Sequence, residues 1–214
     1  MGCDPADPER LTPPAGLVVA GRCRDGADAI VLLSPDGPAL WRIFSAAPEF
    51  ADGAADPLDR WSRRIVLPWA AALGGQALFP SDGPPHPPFV AWALASGRCW
   101  SSPVGMLVHD RLGLFVSFRA ALRLPGRAPE EVAAATGPCQ TAPCQTCTRP
   151  CLAACPVDAF RTGYDTGRCH DWLSRPQGVD CMNSGCRVRR ACPLSKGCGR
   201  LPEQSAWHMR QFHP

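Results

Sequence analysis

The spacing of apolar residues in the first half of the chain predicts strands alternating with helices. An uninterrupted apolar run at 29–33, followed by Ser-Pro-Asp-Gly at 34–37, predicts a buried strand that ends in a tight turn. Asp56 and Pro57 are typical of a helix N-cap and a first helical residue. The apolar residues after them recur at helical spacing on one expected face: Leu58, Trp61, Ile65, Trp69 and Leu73.

Further elements follow this helix. We expect it to bend at Pro68 and to end at Gly74. A short helix is predicted at 89–94, and two strands joined by a tight turn are predicted at 105–109 and 113–118. Because some segments have the apolar spacing of helices and others that of strands, we predict the α/β class for this part of the chain.

The pattern changes between residues 124 and 138, where proline, glycine and a run of alanines replace the periodic segments. We therefore predict an α/β domain at 1–126, a linker at 127–138 and a small loop-rich domain at 139–214. A domain of about 75 residues that is rich in proline and glycine buries little apolar surface. Such domains are commonly held together by metals or crosslinks.

Composition and charge narrow the classes of function. Only 19% of the 214 residues are charged, the net charge is +3, and no Lys/Arg run is long enough to indicate nucleic-acid or membrane-surface binding. No apolar run reaches the roughly 18 residues of a membrane span, and the start of the chain lacks the pattern of a signal peptide. We expect a cytoplasmic protein, and these features do not specify its oligomeric state.

The 13 cysteines are distributed unevenly, with ten of them between residues 139 and 198. In a reducing compartment, cysteine-rich patterns indicate metal binding more often than disulfides. The first run, at Cys144, Cys147, Cys151 and Cys155, has the spacing C-x2-C-x3-C-x3-C-P. It differs by one residue in the middle gap from the C-x2-C-x2-C-x3-C-P run of bacterial ferredoxins, whose fourth cysteine binds the other of two clusters.

The remaining cysteines complete two sets by the same crossover, because the second run also ends in Cys-Pro, at residues 192–193. Cys139 and Cys198 are left over, and either is able to replace an assigned ligand. The sequence thus predicts two [4Fe-4S] clusters, with cluster A held by Cys144, Cys147, Cys151 and Cys192, and cluster B held by Cys155, Cys169, Cys181 and Cys186.

Structural zinc is the main alternative. Zinc favours paired C-x2-C knuckles or Cys/His mixtures, whereas this chain has one C-x2-C and two Cys-Pro endings. Arg187, Arg189 and Arg190 lie between two expected ligands, and they form either a solvated turn or a positive charge that compensates an anionic cluster. Cys23, between two arginines, is either a reactive thiol or a plain one.

Residues 144–194 resemble the ferredoxin module of epoxyqueuosine reductases. The likeness is carried by Cys144-x2-Cys147, Pro150-Cys151, Cys155-Pro156-Val157 and Cys192-Pro193. The whole chain is also similar to bacterial ferredoxin-like 4Fe-4S proteins, which end in a segment like 204–209. This resemblance implies electron transfer.

Part of residues 28–126 is similar to CblC-type cobalamin-processing proteins, on the segments 56–59, 104–113, 118–119 and 124–126. The His-Pro-Arg-aromatic-Gly-Gly turn of that family corresponds here to 109–114, without the proline and the second glycine. The resemblance implies a nitroreductase-like fold and cobalamin as a further cofactor, with His109 as the candidate binding residue. A turn-capping histidine is the alternative for His109.

These observations predict an iron–sulfur electron-transfer protein that serves a redox partner protein. The alternative is a corrinoid-dependent reductase, in which the clusters reduce a cobalamin bound by the N-terminal domain. In a third hypothesis the clusters only brace a small fold. The chain has no G-x-G-x-x-G after a strand, no P-loop and no Ser/His/Asp arrangement, so the sequence leaves open whether it is an enzyme.

Overall fold

Residues 11–129 and 141–214 are described by a computed structural model, and they divide into two units. The first unit comprises the described residues up to 98 together with 117–129. The second comprises 99–116 and the described residues from 141 onward. The mixed α/β class is confirmed, with small antiparallel sheets.

A four-stranded antiparallel sheet forms the centre of the first unit. Its strands are β1 (Leu17–Asp25), β2 (Asp28–Pro35), β3 (Gln76–Leu78) and β6 (Ala120–Leu124), in the spatial order β1-β2-β6-β3. The predicted strand is confirmed as β2, and residues 29–33 are fully buried. A continuous apolar run fits this position, because a central strand covered on both faces has no solvent-facing side.

Four helices accompany this sheet: α1 (Gly37–Ser45), α2 (Pro48–Ala51), α3 (Pro57–Ala72) and α4 (Phe89–Ala95). The predicted helix starts are confirmed at Pro57 and Phe89. The predicted apolar face of α3 is partly wrong, because Ile65, Trp69 and Leu73 are partly exposed. The buried stripe follows the i, i+4 row instead, at Leu58, Trp61, Ser62, Val66 and Ala70.

The second unit begins with a short hairpin of β4 (Cys99–Ser101) and β5 (Leu107–His109). Short helices follow: α5 (Thr166–Leu173), α6 (Val179–Ser184), α7 (Arg187–Ala191) and α8 (Pro202–Phe212). Single 3-10 turns lie at Pro150–Ala153, Pro176–Gly178 and Leu194–Gly197. No described helix has both the length and the apolar character needed to cross a bilayer.

The hairpin belongs to the core of the cysteine-rich unit. Val104, Val108 and Leu114 are buried with Val188 and with two of the cysteines. The division in the structure therefore differs from the predicted boundary at residue 126, since 99–116 packs with the cysteine-rich segment and the chain then returns to the first unit. The apolar residues of 99–116 enlarge the core of this unit, because a small cysteine-rich segment has few large apolar residues of its own.

The predicted pairing of 105–109 with 113–118 is wrong. β5 pairs with β4, and only one bridge joins His109 to Gly113. Both backbone groups of Leu114 are taken by side chains of the cysteine-rich segment, because its N–H donates to Ser195 Oγ at 2.9 Å and its carbonyl accepts from Arg189 Nη1 at 2.7 Å. The backbone of Leu114 is therefore hydrogen-bonded to these side chains and not to a second strand.

Candidate metal centre

Four cysteines surround one small pocket in the second unit. Cys144 and Cys147 lie on the loop before a 3-10 turn, Cys151 lies within that turn, and Cys192 directly follows α7. Val108 and Leu114 of the hairpin segment also line the pocket, together with prolines 150 and 193. Thiols and apolar side chains thus line the same pocket.

The thiols of this group lie within each other's electrostatic field. Burial raises the pKa of the Cys144 thiol, and Cys147, Cys151 and Cys192 raise it further. Burial also raises the pKa of Cys151, with further contributions from Cys192 and Cys147. Neutral thiols are favoured in such a group until a cation balances the thiolates.

A strained turn supplies a backbone donor to this group. Arg149 has a φ of 55° in the left-handed region, where residues other than glycine are uncommon. From this turn its backbone N–H donates to Cys147 Sγ at 3.3 Å. Backbone strain of this kind clusters at functional sites, and N–H donors to sulfur are a feature of iron–sulfur sites.

The second group is formed by Cys155, Cys169, Cys181 and Cys186. Cys169 lies in α5, Cys181 lies in α6, and Cys186 is the N-cap of α7. Burial raises the pKa of Cys169, a hydrogen bond from Tyr164 opposes this, and Cys186, Cys155 and Cys181 raise it again. Cys169 therefore lies close enough to all three to interact with them electrostatically.

Backbone donors also reach the second group. The Ala159 N–H donates to Cys155 Sγ at 3.3 Å, from the turn after Cys155-Pro156. Burial raises the pKa of Cys181, and a backbone hydrogen bond from Arg187 opposes this. Each group therefore combines cysteine sulfur with N–H donors from local turns.

The two groups exchange one member each. Cys155 belongs to the first run of the sequence but lies with the second group, and Cys192 belongs to the second run but lies with the first. These are the two sets that the sequence spacing predicts. Their ligation to iron stays a prediction.

Across residues 11–129 and 141–214, no three His, Cys, Asp or Glu side chains form a group that could hold a single metal ion. A four-iron cluster is larger than an ion, and each of its irons takes one thiolate. The fit of a cluster therefore depends on how four thiols surround a space and on which donors face it.

Two buried polar side chains lack partners near the second group. The Trp172 Nε1–H has no hydrogen-bond acceptor among the described residues, and Trp172 lies one helical turn after Cys169 on α5. The Gln204 amide is fully buried and likewise has no partner in the described part of the chain. Gln204 lies on α8, which packs on the helix that carries Cys181. Unpaired buried donors are costly, and these two lie on helices of the cysteine-rich unit.

The leftover cysteines occupy other environments. The Cys198 thiol donates to the Ser195 carbonyl at 3.0 Å, although it also lies close enough to Cys192 to interact with it. Cys99 is buried in β4. Burial raises the pKa of Cys23 to about 11, with a further contribution from Asp25, which favours the plain thiol over a reactive one. Cys3 and Cys139 lie outside the described residues.

His109 caps its own turn. It is 2% exposed, and its Nδ1 accepts the backbone N–H groups of Arg111 at 3.0 Å and Leu112 at 3.2 Å. The same Nδ1 lies 3.0 Å from Asp110 Oδ1, so groups of its own turn surround this atom. This geometry favours the turn-capping interpretation, and cobalamin binding stays a prediction.

The three arginines of α7 have different surroundings. Arg187 and Arg190 both pair with the Asp180 carboxylate, which neutralises part of their charge. Arg189 is part-buried and bonded to the Leu114 carbonyl; burial lowers its pKa, and Cys186 and Tyr164 oppose this. Both interpretations of this patch stay predictions.

Sequence reasoning missed Tyr164, Trp172 and Ser195. Tyr164 is the only tyrosine of the chain, and burial together with its interaction with Cys169 raises its pKa. The one available signal was position, since Trp172 follows Cys169 at helical spacing and Ser195 follows Cys192 by three residues. Comparison of the chain with protein-family models, with curated proteins and with solved structures gave no match.

Proposed function

We propose that this chain is an iron–sulfur electron-transfer protein whose cysteine-rich unit is a ferredoxin-type module with two [4Fe-4S] clusters. The observation that carries the proposal is the sorting of eight cysteines into two groups with one member exchanged. A two-cluster ferredoxin has this arrangement, whereas a zinc knuckle takes its ligands from adjacent C-x2-C pairs. When bound, each cluster would supply storage for one electron at a time.

The protein's own residues would hold and shield this chemistry. The cysteines supply thiolates, and the N–H groups of Arg149 and Ala159 donate to ligand sulfur. Val108 and Leu114 exclude water from one side of the first group. Backbone donors and burial are the means by which a protein sets a cluster potential.

The surroundings of the two groups also suit a module that serves a partner protein. Tyr164 is 46% exposed and lies close enough to Cys169 to raise its own pKa, so this part of the second group lies close to the surface. We extend the proposal to the first unit only as a nitroreductase-like or CblC-like α/β domain, on the sequence resemblance.

Iron content tests the proposal directly. The full chain, reconstituted anaerobically with iron and sulfide, should bind about eight irons, four for each cluster. Cys192→Ser and Cys155→Ser should each lower this content, whereas Cys198→Ser should retain all of it, because the Cys198 thiol is bonded to the Ser195 carbonyl.

Two results would contradict the proposal. One is zinc bound tightly in place of iron after anaerobic purification. The other is equal loss of iron in all three variants, which would show that the crossed cysteines have no special place. Reduction by a one-electron donor, followed by electron paramagnetic resonance, then distinguishes a redox module from clusters that only brace the fold.

A further inference from the structure

Ser102 directly follows β4, at the start of the turn that leads to β5. Its backbone N–H donates to the Met106 carbonyl and its own carbonyl accepts from the Gly105 N–H, both at 2.9 Å. Val104 in the same turn is 4% exposed and packs in one core with two cysteines of the first group. The backbone of Ser102 is therefore fixed by hydrogen bonds, and its turn packs against the cysteine-rich segment.

Ser102 also lines the pocket that the first cysteine group surrounds. It is 7% exposed, and its hydroxyl oxygen is buried with no hydrogen-bond partner among the described residues. Burial of a hydroxyl without a partner is costly, and the large majority of buried polar side-chain atoms in proteins have one. A buried, unpartnered hydroxyl at the wall of this pocket therefore indicates a partner that the pocket holds.

The lining of the pocket limits what this partner can be. The side chain of Arg149 has only donors, and the other lining side chains are apolar except for the four cysteines. Both backbone groups of Leu114 are already hydrogen-bonded. A water molecule fits such a lining poorly, because a buried water makes about three hydrogen bonds to polar groups. Sulfur is therefore the acceptor that this pocket offers to the Ser102 hydroxyl.

We propose that Ser102 donates a hydrogen bond to sulfur of the cluster that the first group holds, and that this bond raises the reduction potential of that cluster. This inference rests on the proposed function. Reduction adds one electron, supplied by a low-potential one-electron donor, and makes the sulfur atoms more negative. The hydrogen bond is then stronger in the reduced form than in the oxidised form, while the proton stays on the Ser102 oxygen.

The experiment is a potentiometric titration of the reconstituted full chain, followed by electron paramagnetic resonance. Ser102→Ala should lower the reduction equilibrium constant of one cluster at least threefold, which is about 28 mV at about 59 mV for each tenfold change. Cys147→Ser should alter the resonance signal of that same cluster. Ser101→Ala is the matched control, because Ser101 is the exposed neighbour of Ser102 in β4, and it should leave both potentials unchanged.

A second pair of variants separates the hydrogen bond from packing. Ser102→Thr and Ser102→Val have nearly equal volume, and only threonine keeps the hydroxyl, so the threonine variant should have the higher potential by at least threefold in the same constant. The inference is overturned if these two variants have equal potentials, if Ser102→Ala shifts no potential more than Ser101→Ala, or if the shifted cluster is the one whose signal Cys186→Ser alters. Failure of the proposed function is distinct, because the wild-type chain would then lack about eight irons.

Discussion

Gly113→Ala tests whether close packing against the cysteine-rich segment stabilises the position of the hairpin segment. Gly113 has a φ of 57°, and a Cβ placed on it would lie 2.4 Å from Ser195 N and 2.5 Å from Ser195 Oγ. Ser195 cannot give way easily, because its N–H donates to the Cys192 carbonyl at 3.0 Å. The substitution should therefore push the hairpin away from the residues that follow Cys192.

The structure permits an estimate of the cost. A left-handed backbone costs a residue with a Cβ about 1 kcal/mol, and overpacking costs about 1–3 kcal/mol. Loss of the bond from the Leu114 N–H to Ser195 Oγ adds about 1 kcal/mol or more, since the donor is buried. The free energy of opening this segment should fall by roughly 3–5 kcal/mol, a large part of the stability of an ordinary domain.

Hydrogen–deuterium exchange measured on peptides from 99–116 reports this opening directly. Exchange should be about tenfold faster for each 1.4 kcal/mol lost. Gly105→Ala is the matched control, because Gly105 has a φ of 75° in the same hairpin but no atom within 4 Å of its added Cβ. If Gly113→Ala accelerates exchange no more than Gly105→Ala, the contact with Ser195 does not hold the hairpin and our reasoning is refuted.

Two other predictions concern the first unit and the rival function. Hydrogen bonding to Arg64 lowers the pKa of the buried Glu49, so the stability that this pair contributes is present above pH ~4.3 and is lost as the pH falls through the lower folded pKa. Glu49→Gln should lower the free energy of unfolding by about 1–3 kcal/mol at neutral pH, measured from urea midpoints. The difference in unfolding free energy between the variant and the wild type should disappear in acid. A difference that stays constant down to about pH 3 contradicts this prediction. Titration of the reconstituted chain with micromolar cobalamin should leave the corrin spectrum unchanged, because His109 is only 2% exposed and its ring is held in its own turn. A saturable shift that His109→Ala removes would instead support the corrinoid-dependent reductase.

Elements with a strong local pattern could be predicted from the sequence. The buried strand at 28–35 and the helix starts at Pro57 and Phe89 follow from apolar runs and N-terminal signals. The buried face of α3 was harder, because three large apolar residues lie at its edge while Ser62 and Ala70 are buried. Close packing selects small side chains at such contacts, and a hydrophobicity pattern does not show this.

The candidate site also has a part that could be predicted from the sequence and a part that could not. The two cysteine sets could be predicted because loop length limits which thiols can reach one centre, and Cys-Pro endings mark where each run leaves it. The neighbours of these sets could not be predicted. Leu114, Ser195 and Arg189 are brought together over long sequence separations, and nothing in their local sequence indicates the contact.

By itself, the sequence determined the mixed α/β class, a buried strand at 29–33 and the helix that begins at Pro57, and it predicts the division of eight cysteines into two crossed sets. Each of these depends on residues that are close in the chain or on a spacing that few geometries can satisfy. Only the tertiary structure decided that 99–116 joins the cysteine-rich unit, that β5 pairs with β4, and that Arg189 donates to the Leu114 carbonyl. The physical reason is that burial of apolar surface has no direction along the chain, so the choice among distant partners depends on which assembled core fills best.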